Sequence, residues 1–269
     1  MLAFIWRTIK DRKYPVIVYI IAAVGFLEMY IALFPSLQKQ SQEMAKLLET
    51  YPDSLWAAFN IDKASLTFDK LGPYLAMEQF NFIWPILAVI FAIGFAGYAL
   101  ANEVEKGTIE QLLSLPLSRE KVFFGRYLAG LFNLGLFTAV SVMAIIPLAG
   151  LHDIAVNAKG IGMLAVLSLL FVWAIYSLSF MASSFFSEKS KVSFFGGGLL
   201  ILMYVLNIVA SLKDNLSFLK YFSLFYYYNP AQAIEKATFV NNSLIVFFGI
   251  IAISTVLALL WYKGRDIAV

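Results

Sequence analysis

The sequence predicts an all-α polytopic membrane protein with six transmembrane helices, and three observations carry that reading. Only 14% of the 269 residues are charged while 61% are hydrophobic, too few charges to cover the surface of a soluble globule. Charge-free runs long enough to cross ~30 Å of hydrocarbon lie at 80–101, 127–152, 160–187, 192–212 and 237–262, and a sixth, 14–34, is interrupted only by Glu28. All six are continuously apolar, whereas a transmembrane barrel would show short alternating strands.

The distribution of charge orients these spans. With both termini in the cytosol, segments 1–13, 102–126, 187–192 and 263–269 hold 12 Lys/Arg in 51 residues, against 8 in 84 for 35–79, 151–159 and 213–242. That excess follows the positive-inside rule. The absence of cysteine excludes disulfide staples and thiolate metal sites. The basic start and following apolar run resemble a signal peptide, but 14–34 is too long and lacks an A-x-A site, so it reads as a retained anchor.

Residues 1–13 place Leu2, Ile5, Trp6 and Ile9 on one helical face with Arg7, Lys10 and Lys13 mostly off it, the pattern of a helix lying in the membrane interface. The first span, 14–34, carries Glu28 roughly 9 Å from its outer end at the rise of an α-helix. An ionisable group at that depth is either a transport-pathway residue or bonded to a neighbouring outer loop. Residues 35–79 form the longest polar segment. Leu37, Met44, Leu47 and Leu48 suggest an amphipathic helix, broken at Tyr51-Pro52-Asp53 before Leu55-Trp56, so the segment reads as an ordered extracellular cap. Asp53, Asp62, Asp69 and Glu78 lack calcium-loop spacing and read as solvated charges.

The second span, 80–101, has the small pairs Ala92/Ala96 and Gly97/Ala101 at four-residue spacing, which permits close helix approach. The third, 122–150, repeats this at Gly125/Ala129, adds Asn133 as a polar insertion, and has Pro147 to kink its outer end. His152, the only histidine, follows beside Asp153 and reads as a solvated loop residue. The fourth and fifth spans, 160–186 and 192–212, are joined by a short charged turn at 187–191. Gly196-Gly197-Gly198 opens the fifth inside an apolar run with no Lys-Ser/Thr after it, so it is a packing site or hinge and not a phosphate loop. Asn207 lies deeper in that span. Within 213–238, the charge-free stretch 221–234 is too short to cross and is rich in aromatics, including Tyr226, with a central Asn229-Pro230 break; this fits a re-entrant or interfacial helix pair. An aromatic belt without a transport role is the alternative. The sixth span, 239–262, ends at Trp261-Tyr262.

Between the second and third spans lies NEVEKGTIEQLLSLPLSREKVFFGRYLAG, 102–130. Gly107 ends whatever precedes it, Thr108 can cap a following helix, and Ile109, Leu112 and Leu113 fall at i, i+3, i+4 to give one apolar face. Pro116 ends that helix after about two turns, and Ser118 can cap the next, whose first turn carries Glu120. Spacing alone fits an ordinary cytosolic loop equally well.

The ordered run Glu103, Glu105, Gly107, Thr108, Leu112-Leu113, Pro116, Ser118-Arg119 and Gly125 resembles the pattern after the second span in ABC-2 type (type V exporter-like) ABC transporter permeases, and the six-span layout extends the likeness over nearly the whole chain. The resemblance implies that 108–115 is a coupling helix seated in a groove of an ATPase partner, that the interfacial helix 1–13 helps grip it, and that 213–238 dips into the outer leaflet. It implies a prokaryotic plasma membrane, two copies of an ABC ATPase, and a second copy of this permease or a similar one, with a cleft partly lined by the first, second and fifth spans. ATP and Mg2+ would be bound by the partner, and no cofactor by this chain.

Residue by residue, the coupling set is Glu103, Glu105, Gly107, Thr108, Ile109, Leu112, Leu113, Pro116 and Arg119, with Glu103 and Glu105 expected to pair with Arg119 or Arg126. Pathway candidates are Glu28, Asn133, Asn207, Tyr226 and Asn229. The chain has no G-x-x-x-x-G-K-[ST] and no cytosolic segment large enough for an ATPase, so hydrolysis belongs to another polypeptide. An exporter of an amphipathic substrate is the leading reading. A scaffold or sensor that merely recruits an ATPase is the alternative, and a membrane-embedded enzyme lacks converging acids, bases or ligands. No nucleic-acid motif appears, since the basic residues are spread along helix ends.

Overall fold

The computed structural model describes residues 1–40, 50, 52, 69–108 and 117–265. The candidate amphipathic helix through Met44, Leu47 and Leu48, the break at 51–56, and Ile109, Leu112, Leu113 and Pro116 of the expected coupling helix lie outside the described residues. Among the described residues all regular structure is helical, and six helices are long and apolar enough to cross a membrane.

In chain order these elements are α1 (Leu2–Asp11), α2 (Lys13–Lys39), α3 (Leu71–Ala99), the short α4 (Ala101–Glu105), α5 (Arg119–Leu151), α6 (Ala158–Phe185), α7 (Lys189–Leu212), a 3-10 turn (Asp214–Phe222), α8 (Leu224–Tyr227), α9 (Pro230–Lys236) and α10 (Ser243–Gly264). The spans are α2, α3, α5, α6, α7 and α10. Residues from the starts of α2, α5 and α7 and from the ends of α4 and α10 meet at one end of the bundle, here called the basic end.

The second span starts nine residues before the expected position 80, at Leu71. The charge-free criterion truncated it at Glu78, although Leu71, Tyr74, Leu75 and Ala76 are buried against the core. Glu78 is accordingly a half-buried helical residue and not a solvated loop charge. The same stretch, Ala76–Ile83, is wound as a π-helix, an irregularity that clusters at functional sites. There Gln79 donates from Nε2 to the Ala23 carbonyl of α2 at 3.1 Å. In the third span the helix breaks at Ala144, one turn before Pro147, which has no N–H to return to that turn.

The core is centred on α6, which packs against α3, α5, α7, α9 and α10. Its neighbours come close because small residues face them. A Cβ added at Gly130 of α5 would lie 2.1 Å from the Tyr176 hydroxyl, and one added at Gly160 would lie 2.0 Å from the Ile234 carbonyl oxygen of α9. Stacked rings fill the middle: Trp84 on Phe137 at 5.7 Å, and Phe171 on Tyr228 at 4.3 Å. The 214–236 region forms a 3-10 turn and two short helices about Asn229-Pro230. Asn229 caps α9 by accepting from the Gln232 N–H at 2.9 Å, and buried Leu224, Tyr227, Tyr228 and Ile234 anchor the pair in the bundle.

α1 touches the bundle along one flank of the face marked in the sequence, with Ile5 and Ile9 half-buried. Leu2 and Trp6 are exposed, while Phe4 packs on Gly125, where a Cβ would come within 2.6 Å of its ring.

Candidate functional site

At the basic end, α3 stops at Ala99 and Leu100 leaves the helical region at φ −128°, so two backbone N–H groups lose their intrahelical acceptors. Both are taken by one serine of α6: Ser183 Oγ accepts from Leu100 N at 3.3 Å and from Ala101 N at 3.0 Å. This bend turns α4 across the ends of the spans and fixes where its two glutamates point.

Glu103 and Glu105 reach different spans. Glu103 Oε1 accepts from Arg126 Nη2 of α5 at 2.7 Å, with both side chains mostly withdrawn from solvent. Its Oε2 accepts the Thr108 hydroxyl at 2.5 Å. Thr108 thus spends its proton on the preceding turn, and the intervening Gly107 makes the reversal with φ +66°, a left-handed conformation that glycine adopts without strain. Glu105 Oε2 accepts the backbone N–H of Lys189, the first residue of α7, at 2.8 Å. Of the two cations weighed as partners for these carboxylates, Arg126 is paired with Glu103. Arg119 instead donates from Nη1 to the carbonyls of Lys263 at 3.3 Å and Arg265 at 2.8 Å.

The end of α10 is tied down in the same place. Arg265 donates to the Ser184 and Phe186 carbonyls and to the Ser187 hydroxyl. Lys263 pairs with Glu120 at 2.5 Å, and Ser118 caps α5 by accepting from Lys121 N. Segments 101–108 and 117–121 are therefore bonded to α5, α6, α7 and the end of α10.

Above this end a groove of about 840 Å3 lies among α2, α3 and α7, within the size range of ligand pockets. These are the first, second and fifth spans. Its walls are largely apolar and aromatic, including Tyr19, Ile90, Phe91, Leu200, Ile201 and Tyr204, with Asn81 and Ser193 as polar inserts. At the basic end it is lined by Tyr98, whose ring carries the Arg12 guanidinium at 3.6 Å and the Lys189 ammonium at 3.7 Å.

None of the five sequence-selected pathway candidates lines this groove. Glu28 Oε1 bonds His152 Nε2 at 2.8 Å, clamping the first span to the turn after α5; this is the outer-loop alternative, and it gives His152 a partner. Asn133 and Asn207 are buried, and among the described residues Asn133 Nδ2 and Asn207 Oδ1 have no hydrogen-bond partner. Tyr226 packs edge-on to Tyr221 and Tyr227, and Asn229 serves as the cap of α9. The residues that sequence reasoning missed are Arg12, Asn81, Tyr98 and Lys189. Arg12 and Lys189 stand where two apolar runs begin and Tyr98 where another ends, so their common depth was readable; their convergence requires the packing.

The model of the family described as ABC-2 family transporter protein matches residues 6–267. No curated protein matches the chain. With the match spanning all six apolar helices and the bonded segment between the second and third, the chain belongs to the ABC-2 family of transporter proteins, as a multi-pass membrane permease of a kind that works with an ABC ATPase.

Proposed function

We propose that this permease is the membrane subunit of an ATP-driven exporter for an amphipathic substrate such as a peptide, lipid or drug, with hydrolysis carried out on separate ATPase subunits that bind ATP and Mg2+. In this reading the chain is not itself an enzyme. Two permeases, identical or similar, assemble with two ATPases in a prokaryotic plasma membrane with both termini in the cytosol, and the basic end faces the ATPases. The helix expected at 108–115 enters the partner through Ile109, Leu112 and Leu113, since a buried apolar cluster carries most interface energy.

The observation that carries the proposal is the anchoring on both sides of that stretch. Glu103 is bonded to α5, Glu105 to the first turn of α7, and Arg119 to the end of α10. A push from a moving ATPase at 108–115 would be delivered at once to the second, third, fifth and sixth spans. Glu105 is the informative link, because it connects the segment to α7, one wall of the groove.

The test is ATPase activity of the purified complex in nanodiscs with and without the paired change Leu112→Asp and Leu113→Asp. Loss of the copurifying ATPase, or of its stimulation by lipid or substrate, is the expected result. Unchanged association and turnover would overturn the assignment of 108–115 as the coupling element and favour a scaffold.

A further inference from the structure

We infer that the groove among α2, α3 and α7 holds an anionic lipid drawn from the leaflet at the basic end, with its acidic headgroup between Arg12 and Lys189 beside Tyr98 and its acyl chain against the apolar wall. As a statement about cargo this rests on the exporter reading; as a statement about binding it does not.

The charges come first. Arg12 and Lys189 both sit within 4 Å of one ring centroid, which holds the two cations no more than about 7 Å apart. An aromatic face attracts each of them but does not neutralise the pair, and among the described residues no carboxylate makes an ion pair with either side chain. The nearest acid in the bonding pattern, Glu105, is engaged with the Lys189 backbone N–H, and Glu188 pairs with Lys191. A guanidinium and an ammonium beside the same ring suit a phosphodiester, to which arginine offers a planar fork and lysine a point charge.

The walls define the remainder of the ligand. From the charged end the cavity continues past Gly94 and Gly197, where an added Cβ would meet nothing within 4 Å, toward Leu200 and Tyr204. Its rim residues Ile86, Ile90 and Ile201 are more than half exposed, so the groove opens sideways on an apolar flank of this chain. A free phosphate would use the cations and leave the wall bare, and a neutral lipid would use the wall and leave the cations unanswered. An anionic lipid satisfies both.

The test is native mass spectrometry of the purified full chain in detergent with added phosphatidylglycerol or phosphatidylcholine of matched chains. Wild type should retain phosphatidylglycerol at least about tenfold better than phosphatidylcholine, the scale of one charge-assisted contact. Arg12→Gln with Lys189→Gln should abolish that preference, Arg12→Lys with Lys189→Arg should keep it, and the equal charge loss Lys191→Gln with Lys263→Gln should leave it unchanged. Gly197→Phe, which fills the groove and spares the cations, should weaken retention of phosphatidylglycerol. Equal retention of the two lipids by wild type, or wild-type preference in the Gln pair, would overturn the proposal. So would full retention in Gly197→Phe, or displacement of phosphatidylglycerol by glycerol 3-phosphate alone, since either marks a headgroup site without a groove. None of these readouts involves ATP or the ATPase, so they stand or fall apart from the exporter reading.

Discussion

The fourth and fifth spans, α6 and α7, have nearly the same mean hydropathy, 2.2 and 2.1, yet 61% of the most apolar window of α6 is buried inside the bundle against 22% for α7. Apolar composition tells a helix to leave water and says nothing about whether lipid or protein will cover it. What distinguishes the two is small polar residues. α6 buries Ser168, Ser177, Ser179, Ser183 and Ser184, whereas α7 buries a single polar side chain, Asn207. Serine permits close approach, and its hydroxyl finds a partner within or across helices: Ser177 with Tyr127 at 2.7 Å, and Ser168 with Tyr228 at 3.3 Å. α7 instead presents bulk outward, with Phe194 85% exposed, and although Gly196 packs on Ile93 and Ser179, Gly197 leaves space beside the groove. One helix is the hub of a rigid half, and the other a loosely held wall.

The comparison breaks if glycines on the two helices respond alike. Gly160→Ala in α6 drives a Cβ to 2.0 Å from the Ile234 carbonyl oxygen, a backbone atom that cannot rotate away. Overpacking of this kind costs about 1–3 kcal/mol, and thermal unfolding in detergent should show a loss at or above the top of that range. Gly198→Ala in α7 meets nothing within 4 Å and should stay within about 0.5 kcal/mol of wild type. Equal losses would mean that the two spans are packed alike.

A smaller effect sharpens the role of the α6 serines. Ser183→Ala leaves the buried Leu100 and Ala101 N–H groups without their acceptor, which costs about 1–3 kcal/mol. Ser193→Ala on the exposed side of α7 should be near neutral by the same assay. Because the Leu100 bend aims Glu103 and Glu105, Ser183→Ala should also reduce substrate-stimulated ATPase activity of the complex.

How much of this was legible in the sequence follows the same division. Six spans, the kink near Pro147 and the Asn229-Pro230 break depend on hydropathy, on a missing N–H and on local capping, all of which a linear reading sees. The start of the second span was missed because Glu78 looked like a boundary, when one half-buried carboxyl is tolerated inside a helix whose neighbours cover it. Within the candidate site, the Glu103–Arg126 pair was among the pairings weighed, since both flank one loop, but Glu105 accepts from the backbone N–H of Lys189, and backbone donors leave no mark in residue identity. The pathway candidates were chosen as polar residues inside apolar runs; in a bundle such residues also serve as clamps and caps, as Glu28 and Asn229 do here. The charged end of the groove is instead lined by Arg12, Tyr98 and Lys189, residues at the ends of runs, brought together only by packing.

Next in size is the Glu103–Arg126 bond on the rigid side. Its side chains are 18% and 16% exposed, so solvent screening is limited, and Glu103→Gln should cost about 1–2 kcal/mol. A double-mutant cycle with Arg126→Gln should recover a coupling energy of about 1 kcal/mol; strict additivity would show that the bond does not hold the segment to α5.

The smallest effect belongs to the opposite end, where Glu28 joins α2 to His152 at 2.8 Å. The geometry rivals that of Glu103 with Arg126, but the side chains are 40% and 28% exposed, and an ion pair open to water contributes ~0–1 kcal/mol. Moreover, the amide of Glu28→Gln can keep a hydrogen bond to the imidazole. Glu28→Gln should therefore shift unfolding by less than about 0.5 kcal/mol at pH 7.5. It should leave phosphatidylglycerol retention unchanged, because Glu28 does not line the groove. A loss as large as that of Glu103→Gln would place the first span in the rigid half with α6. A loss of lipid retention without loss of stability would extend the path from the groove to the Glu28 end, and the two-sided picture would have to give way to a continuous channel along α2.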